Sequence, residues 1–372
     1  DITFNDTVTN AAAATIEAGD YEITATSGTG IQGGIVSIGN GTVHAIGSVT
    51  TLTSSGAATI DGTTGFTVTG LSSGNLTTDG VVYLHGTAIG TLTVNAGSTL
   101  NLNGGLTTSG AITVDGTLAT GANALTVSAG GVAVDGTLDA TGQSAAALAT
   151  GITGSLTGTG SASFGTGSLT VSANVGIASF TGGAGTIGIT GNVTSTNFTG
   201  GAGTIDINGN VTGANFTAAN ATTTTVGGDF TPTTTFTANG GTMIFDTTAD
   251  SAIATGVGSY NNVRLEAAKR PQAGTLDING TLVLTAAGVL DLATNGAALD
   301  VALGTTNDGT ITGGAGLVTF SGTVTNNDTI TAGSGDITFG DTVANNDTIT
   351  AGGGDITFND TVTNAAAATI EA

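Results

Sequence analysis

The stretch from Leu317 to Ala372 restricts the fold more than any other part of the chain. It reads LVTFSGTVTNNDTITAGSG, then DITFGDTVANNDTITAGGG, then DITFNDTVTNAAAATIEA, so that Phe320, Phe339 and Phe358 recur every 19 residues. Within each period lie three short runs, V-T-F or I-T-F, then T-V-T, then T-I-T. Apolar and polar residues alternate in each run, and Gly, Asn and Asp separate the runs. Alternation at period two marks a strand with one buried face, and the separating residues are those that turn a chain. One period is therefore one coil of a solenoid, with roughly three short strands and a triangular cross-section.

Residues 355–372, DITFNDTVTNAAAATIEA, are identical to residues 1–18. Eighteen matching positions do not arise by chance. The expectation is a longer tandem period of 354 residues, the spacing of Asp1 and Asp355, in which Gly19 is the natural continuation after Ala372. Residues 1–372 then form a single continuous β-solenoid, one unit of a periodic array.

Glycine accounts for 65 of the 372 residues and charged residues for only 8%. Such bias accompanies disorder in many chains, but disordered segments lack the regularly spaced Val, Ile, Leu and Phe that run from end to end here. A solenoid grows by adding coils and needs no central core, so one extended domain is expected where length alone would suggest two. The net charge is −23, with Arg264, Lys269 and Arg270 the only Lys and Arg residues. A phosphate backbone is a physically disfavoured partner for such a chain, so nucleic acid is excluded. There is no Cys, hence no disulfide or thiolate chemistry, which fits a secreted bacterial or archaeal protein better than a disulfide-stapled one. No run of about 18 apolar residues exists, so no membrane insertion is expected.

The strand grammar persists along the chain while the coil length drifts. IVSIG, TVHAIG, AATIDG, FTVTG and VVYLHG carry it from Ile35 to His85. If Val82 and Leu84 point inward, Tyr83 and His85 point out, and His44 and His85 are read as surface residues. Val114-Asp115-Gly116 and Val134-Asp135-Gly136 place Asp-Gly turns 20 residues apart. From Phe180 through Phe198 to Phe216 the period is 18. A left-handed hexapeptide helix has a coil of that length, but steps of six from Phe180 meet Thr186 and Asn192 where it needs aliphatics. A right-handed parallel β-helix is therefore expected, with its Phe rows packed ring over ring.

FTANGGTMIFD, SYNNVRLEAA, GTLDINGTLVLTAAGVLDLATNGAALDV and TNDGTITGGAGLVTFSGT, between residues 230 and 330, resemble the strand repeats of large bacterial surface proteins related to filamentous haemagglutinins and autotransporter passengers. The resemblance covers roughly a quarter of the chain and includes no catalytic motif. It implies a secreted right-handed parallel β-helix serving as an adhesin, sheath or fibre, and it implies no reaction.

Polysaccharide lyase or glycosidase chemistry on such a scaffold needs paired carboxylates in a cleft, with a base or a metal to stabilise developing charge. The three bases lie away from any obvious Asp cluster, and no Ser/His/Asp set, phosphate loop or paired-His motif is present, so the chain is read as no enzyme. Asp328 and Asp347, Asp336 and Asp355, and Asp341 and Asp360 each share a turn position on adjacent coils. Carboxylates about 4.8 Å apart repel by roughly 1 kcal/mol in water and about 3–4 kcal/mol at an effective dielectric near 20. Water and salt offset that repulsion in the favoured reading, and bound Ca²⁺ does so in the alternative. The Ca²⁺-binding nonapeptide itself is not matched, because Ile205 stands where its Asp belongs.

Outward Thr rows allow a third reading, an ice-ordering face, against which Ala365–Ala368 stands as an interruption. About a dozen Asn-x-Thr triplets, at Asn5, Asn40, Asn75, Asn192, Asn197, Asn210, Asn215, Asn220, Asn279, Asn327, Asn346 and Asn359, are candidate glycan acceptors. Arg264, Lys269 and Arg270 ahead of Pro271 read either as a surface bulge or as a lateral contact to the Asp rows of a neighbouring copy. The function expected from the sequence is a structural element of an extracellular or cell-surface fibre or sheath, partnered by itself end to end. The rod-like passenger of an adhesin is the alternative, followed by an ice-binding or calcium-dependent solenoid.

Overall fold

The computed structural model describes residues 1–11, 14–19, 21–25, 31–38, 42–45, 47–54, 57–85, 87–143, 150–246 and 250–372. Asp20, Asn40 and the side chain of His44 lie outside the described residues. The protein is all-β: a parallel β-solenoid of about 17 turns with a coil spacing near 19 residues. Its strands fall into two compact units, Asp1–Gly188 and Ile189–Ala372.

In the first unit the coil-to-coil register can be followed along three inward rows. Leu106 pairs with Leu125, which pairs with Thr150 and then Leu169. Ile112, Val132, Leu156 and Val175 form the second row. Leu118, Leu138, Ala162 and Phe180 form the third. All twelve are buried, and residues on either side of them in the strands turn outward. Each buried Leu or Val side chain contributes about 1.5–3 kcal/mol of apolar burial, which adds to the backbone hydrogen bonds of the three ladders. Through Ala57–Leu84 the chain remains extended, pairing Leu71 with Leu52 of the preceding coil and Leu76 and Val82 with Leu92 and Leu100 of the following ones. Val82 and Leu84 are buried, Tyr83 is exposed and His85 half-buried, as the alternation predicts.

The second unit resolves into three ladders. One runs through Ser251–Ile253, Ala268–Pro271, Val289–Asp291, Thr310–Thr312, Thr329–Ala332, Thr348–Ala351 and Thr369–Glu371. A second stacks Thr275–Ile278, Ala298–Val301, Val318–Phe320, Ile337–Phe339 and Ile356–Phe358. A third stacks Leu282–Leu284, Thr305–Asn307, Val324–Asn326, Val343–Asn345 and Val362–Asn364. Phe320, Phe339 and Phe358 stack with ring centroids 5.4 and 4.9 Å apart, tilted by 15° and 7°. Phe198 and Phe216 lie 4.9 Å apart and 4° from parallel. Beyond Phe216 the simple stack gives way, because Phe230 enters edge-on at 5.3 Å and begins a cluster with Phe236, Phe245 and Tyr260.

Close coil spacing explains why Gly recurs at corners. A Cβ on Gly136 would lie 1.9 Å from the carbonyl oxygen of Gly116 in the coil beneath, so the stacked Asp-Gly turns admit no larger residue. The Ala365–Ala368 segment is also absorbed at a corner. It forms a turn, with Ala368 N–H donating to the Ala365 carbonyl at 2.9 Å, and Thr369 remains in register with Thr348. The two additional residues lengthen the turn and leave Thr369 in the Thr row, while the second Thr row, through Thr331 and Thr350, is interrupted where Glu371 takes the next rung.

Candidate functional site

The second unit's third ladder places Asn307, Asn326 and Asn345 inward, each fully buried. Asn is a turn residue by habit, and the spacing of the last coils predicts turns at Asn326 and Asn345. Their side chains instead form an amide row. Asn307 Nδ2 donates to Asn326 Oδ1 at 2.8 Å, Asn326 Nδ2 to Asn345 Oδ1 at 2.8 Å, and Asn345 Nδ2 to Asn364 Oδ1 at 2.7 Å. The same three Nδ2 groups donate to the carbonyls of Thr329, Thr348 and Thr369, at 3.1, 3.0 and 3.1 Å, in the next coil. Each amide thus ties two neighbouring coils from the inside. The row starts abruptly at Asn307, since Leu284 occupies the preceding rung, and Asn307 Oδ1 and Thr305 Oγ1 are buried without a hydrogen-bond partner. Burying a carbonyl oxygen unpaired costs about 1–3 kcal/mol, so the first rung is the weak point of the row.

Five of the six turn aspartates accept a hydrogen bond from a neighbour, and the sixth, Asp355, supplies a backbone N–H. Asp341 and Asp360 accept the N–H of the following Thr342 and Thr361 at 2.6 Å. Asp336 accepts the N–H of Asp355 at 2.9 Å. Asp328 and Asp347 accept the hydroxyls of Thr329 and Thr348 at 3.1 and 3.0 Å. Beside them Asn327 Nδ2 donates to Asp308 Oδ1, and Asn346 Nδ2 to Asn327 Oδ1, both at 2.7 Å. Local donors therefore offset part of the carboxylate repulsion. Among the described residues no three His, Cys, Asp or Glu side chains gather closely enough to hold a metal ion.

In the first unit Asp135 reaches across to the next coil, accepting the N–H and hydroxyl of Thr159 at 2.8 and 2.9 Å. The Thr159 backbone bond, then its hydroxyl bond, hold the Asp135 carboxyl below the usual range.

The three bases do not form one exposed loop. Arg264 lies on Asn262–Leu265 and pairs with Glu266 at 2.6 Å. Arg270 pairs with Asp250 at 2.7 Å, and that hydrogen bond and charge raise its pKa further. Lys269 is a correction to the expected surface bulge: Ala268–Pro271 is a strand, and strand alternation turns Lys269 inward, where it is fully buried. A lateral contact through Lys269 is therefore ruled out by its position. Burial pushes its pKa down, opposed by the charges of Asp246 and Asp229.

Among the Asn-x-Thr sites, Asn215, Asn327 and Asn346 donate their amides to neighbouring side chains. Asn5, Asn220, Asn279 and Asn359 are exposed at turns. The arrangement as a whole binds coil to coil through repeated side chains.

Comparison with protein-family models, with curated proteins and with solved structures finds no match to this chain.

Proposed function

We infer that the chain is a structural element of an extracellular fibre, sheath or cell-surface filament assembled from such solenoid units. The observation that supports this most is the repetition of identical rungs: Phe on Phe, Asn on Asn and Ile on Ile, in register through the last coils of the second unit. A coil bonded to its predecessor by the same contacts that it offers its successor is material for extension. The β-solenoid fold itself suits a structural or an adhesin-like role. Within this proposal no catalytic step is assigned. The acidic surface keeps neighbouring copies apart until cations, Ca²⁺ among them, screen it, and glycans occupy exposed Asn-x-Thr sites such as Asn220 and Asn279.

Electron microscopy of the native material tests the reading. A 354-residue period at a coil spacing near 19 residues is roughly 18–19 coils, which at about 4.8 Å each gives an expected axial period of about 85–90 Å in long filaments. Short discrete particles with one differentiated end would replace the fibre by the adhesin passenger.

A further inference from the structure

The coil DITFNDTVTNAAAATIEA occurs twice, and its two copies are paired on opposite edges. As residues 355–372 it sits on the coil before it: Ile356 on Ile337, Phe358 on Phe339, Val362 on Val343, Asn364 on Asn345 and Ile370 on Ile349. As residues 1–18 it carries the coil after it: Ile2 pairs with Ile23, Val8 with Ile31, and Thr15 and Ile16 with Ile35 and Val36. The two copies also fold alike in detail. Thr7 N–H and Thr361 N–H donate to Asp6 and Asp360 at 2.7 and 2.6 Å. Ala14 N–H and Ala368 N–H close the turn onto Ala11 and Ala365 at 2.8 and 2.9 Å. Asn10 Nδ2 and Asn364 Nδ2 donate to the carbonyls of Ala14 and Ala368 at 2.9 and 2.8 Å.

We propose that this coil is the joint between consecutive 354-residue copies, with residues 19–38 of a second copy lying on residues 355–372 as they lie on residues 1–18. The partner is a second copy of this same sequence, and the proposal rests on the fibre reading above. The Asn row reaches the joint and ends there, because Asn10 faces Gly33 and Gly34 in the coil after it, but its bond to the next coil's backbone continues. Asn364 shows the bond received from the coil before, from Asn345 Nδ2 at 2.7 Å. Asn10 shows the bond given to the coil after, to the Ile35 carbonyl at 3.2 Å. That second bond repeats those of Asn307, Asn326 and Asn345 to the next coil. Superposed, the two copies describe one Asn bonded on both sides, with every strand of the coil paired on both edges and no new kind of contact.

A chain of residues 1–354 followed by residues 1–372 tests this by amide hydrogen exchange. The joint coil is expected to exchange as slowly as residues 336–354 of the same chain. Exchange as fast as that of residues 355–372 in the single-copy protein would overturn the proposal. Asn364→Asp at the joint removes the amide donor and is expected to speed exchange of that coil at least tenfold. The same substitution in the single-copy protein is expected to change exchange less than threefold. Equal effects in the two proteins would overturn the role of the Asn row. The fibre reading fails separately: native material that is not filamentous would sink it even if the joint coil is protected, and filaments with an unprotected joint would sink only the joint.

Discussion

Lys269 Nζ lies 2.5 Å from Ser251 Oγ inside the second unit, on a row that continues upward as Leu290, Ile311, Ile330, Ile349 and Ile370. A fully buried ammonium group thus occupies a rung that five successive coils fill with Leu or Ile. Asp246 and Asp229 supply a favourable field, and Asp229 is itself held by the Ala252 N–H at 2.8 Å.

Replacing Lys269 by Met keeps the volume and the stem while removing the charge. Burying a charge is costly, and well-packed apolar replacements of buried ionic groups are neutral or stabilising by about 1–4 kcal/mol. Lys269→Met is therefore expected to leave urea stability unchanged or raise it, and a loss of more than about 1 kcal/mol would show that the charge itself holds the coil.

The pH dependence follows from two buried groups with opposite signs. The Lys269 pKa is depressed below its ordinary 10.5 by burial, so the unfolded chain binds more protons as pH nears that value from below. Stability from this group is expected to rise with pH in the window from the depressed folded pKa up to 10.5. Burial raises the Tyr260 hydroxyl well above 10.0, and its bond to the Ala254 carbonyl at 2.9 Å requires the proton. That contribution is present below 10.0 and is lost as pH rises through the folded value. Urea midpoints measured between pH 8 and 11 are expected to rise and then fall. In Lys269→Met only the fall should remain, and a persisting rise would remove Lys269 as its cause.

Asn326 stands in the middle of the amide row, with a partner on each side. Asn326→Ala leaves the Asn345 carbonyl oxygen buried without its donor, which costs about 1–3 kcal/mol beyond the lost side chain. The unfolding midpoint of the second unit should fall accordingly, with faster amide exchange in residues 317–354. An unchanged midpoint would mean that the row contributes nothing net.

Strand alternation made the architecture legible in the sequence. Val324, Ile330, Ile337 and Phe339 are inward where the period-two runs put them. The Asn row was hidden because Asn also signals turns, although its place two residues after Val324 and Val343 gives it the same face as the valines. Lys269 was hidden for a similar reason: three bases near a Pro suggested a loop, while Ala-Lys-Arg-Pro alternates as a strand with Lys and Pro inward. Composition favours turns and surface for Asn and Lys, and the stacking of coils overrides it. The aspartate pairs lie at turns as read, yet the donors that hold them, Thr residues at Asp328, Asp341, Asp347 and Asp360 and the Asp355 N–H at Asp336, are not specified by alternation alone.

Phe339 lies between Phe320 and Phe358, parallel to both, and is fully buried. Removing it empties the centre of a stack that cannot close, because its backbone register is fixed by the coils on either side. Phe339→Ala is expected to cost about 3–5 kcal/mol. Phe339→Leu keeps most of the apolar burial and loses two ring pairs of about 0.5–1.5 kcal/mol each, so its cost should be roughly half as large. Phe358 is half-buried and has a ring neighbour on one side, so Phe358→Ala should fall below Phe339→Ala in the same urea series. Equal losses at the two positions would mean that the cost is set by the single rung. A larger loss at Phe339 would place the stabilisation in the contact between rungs, the term through which a solenoid gains stability as coils are added.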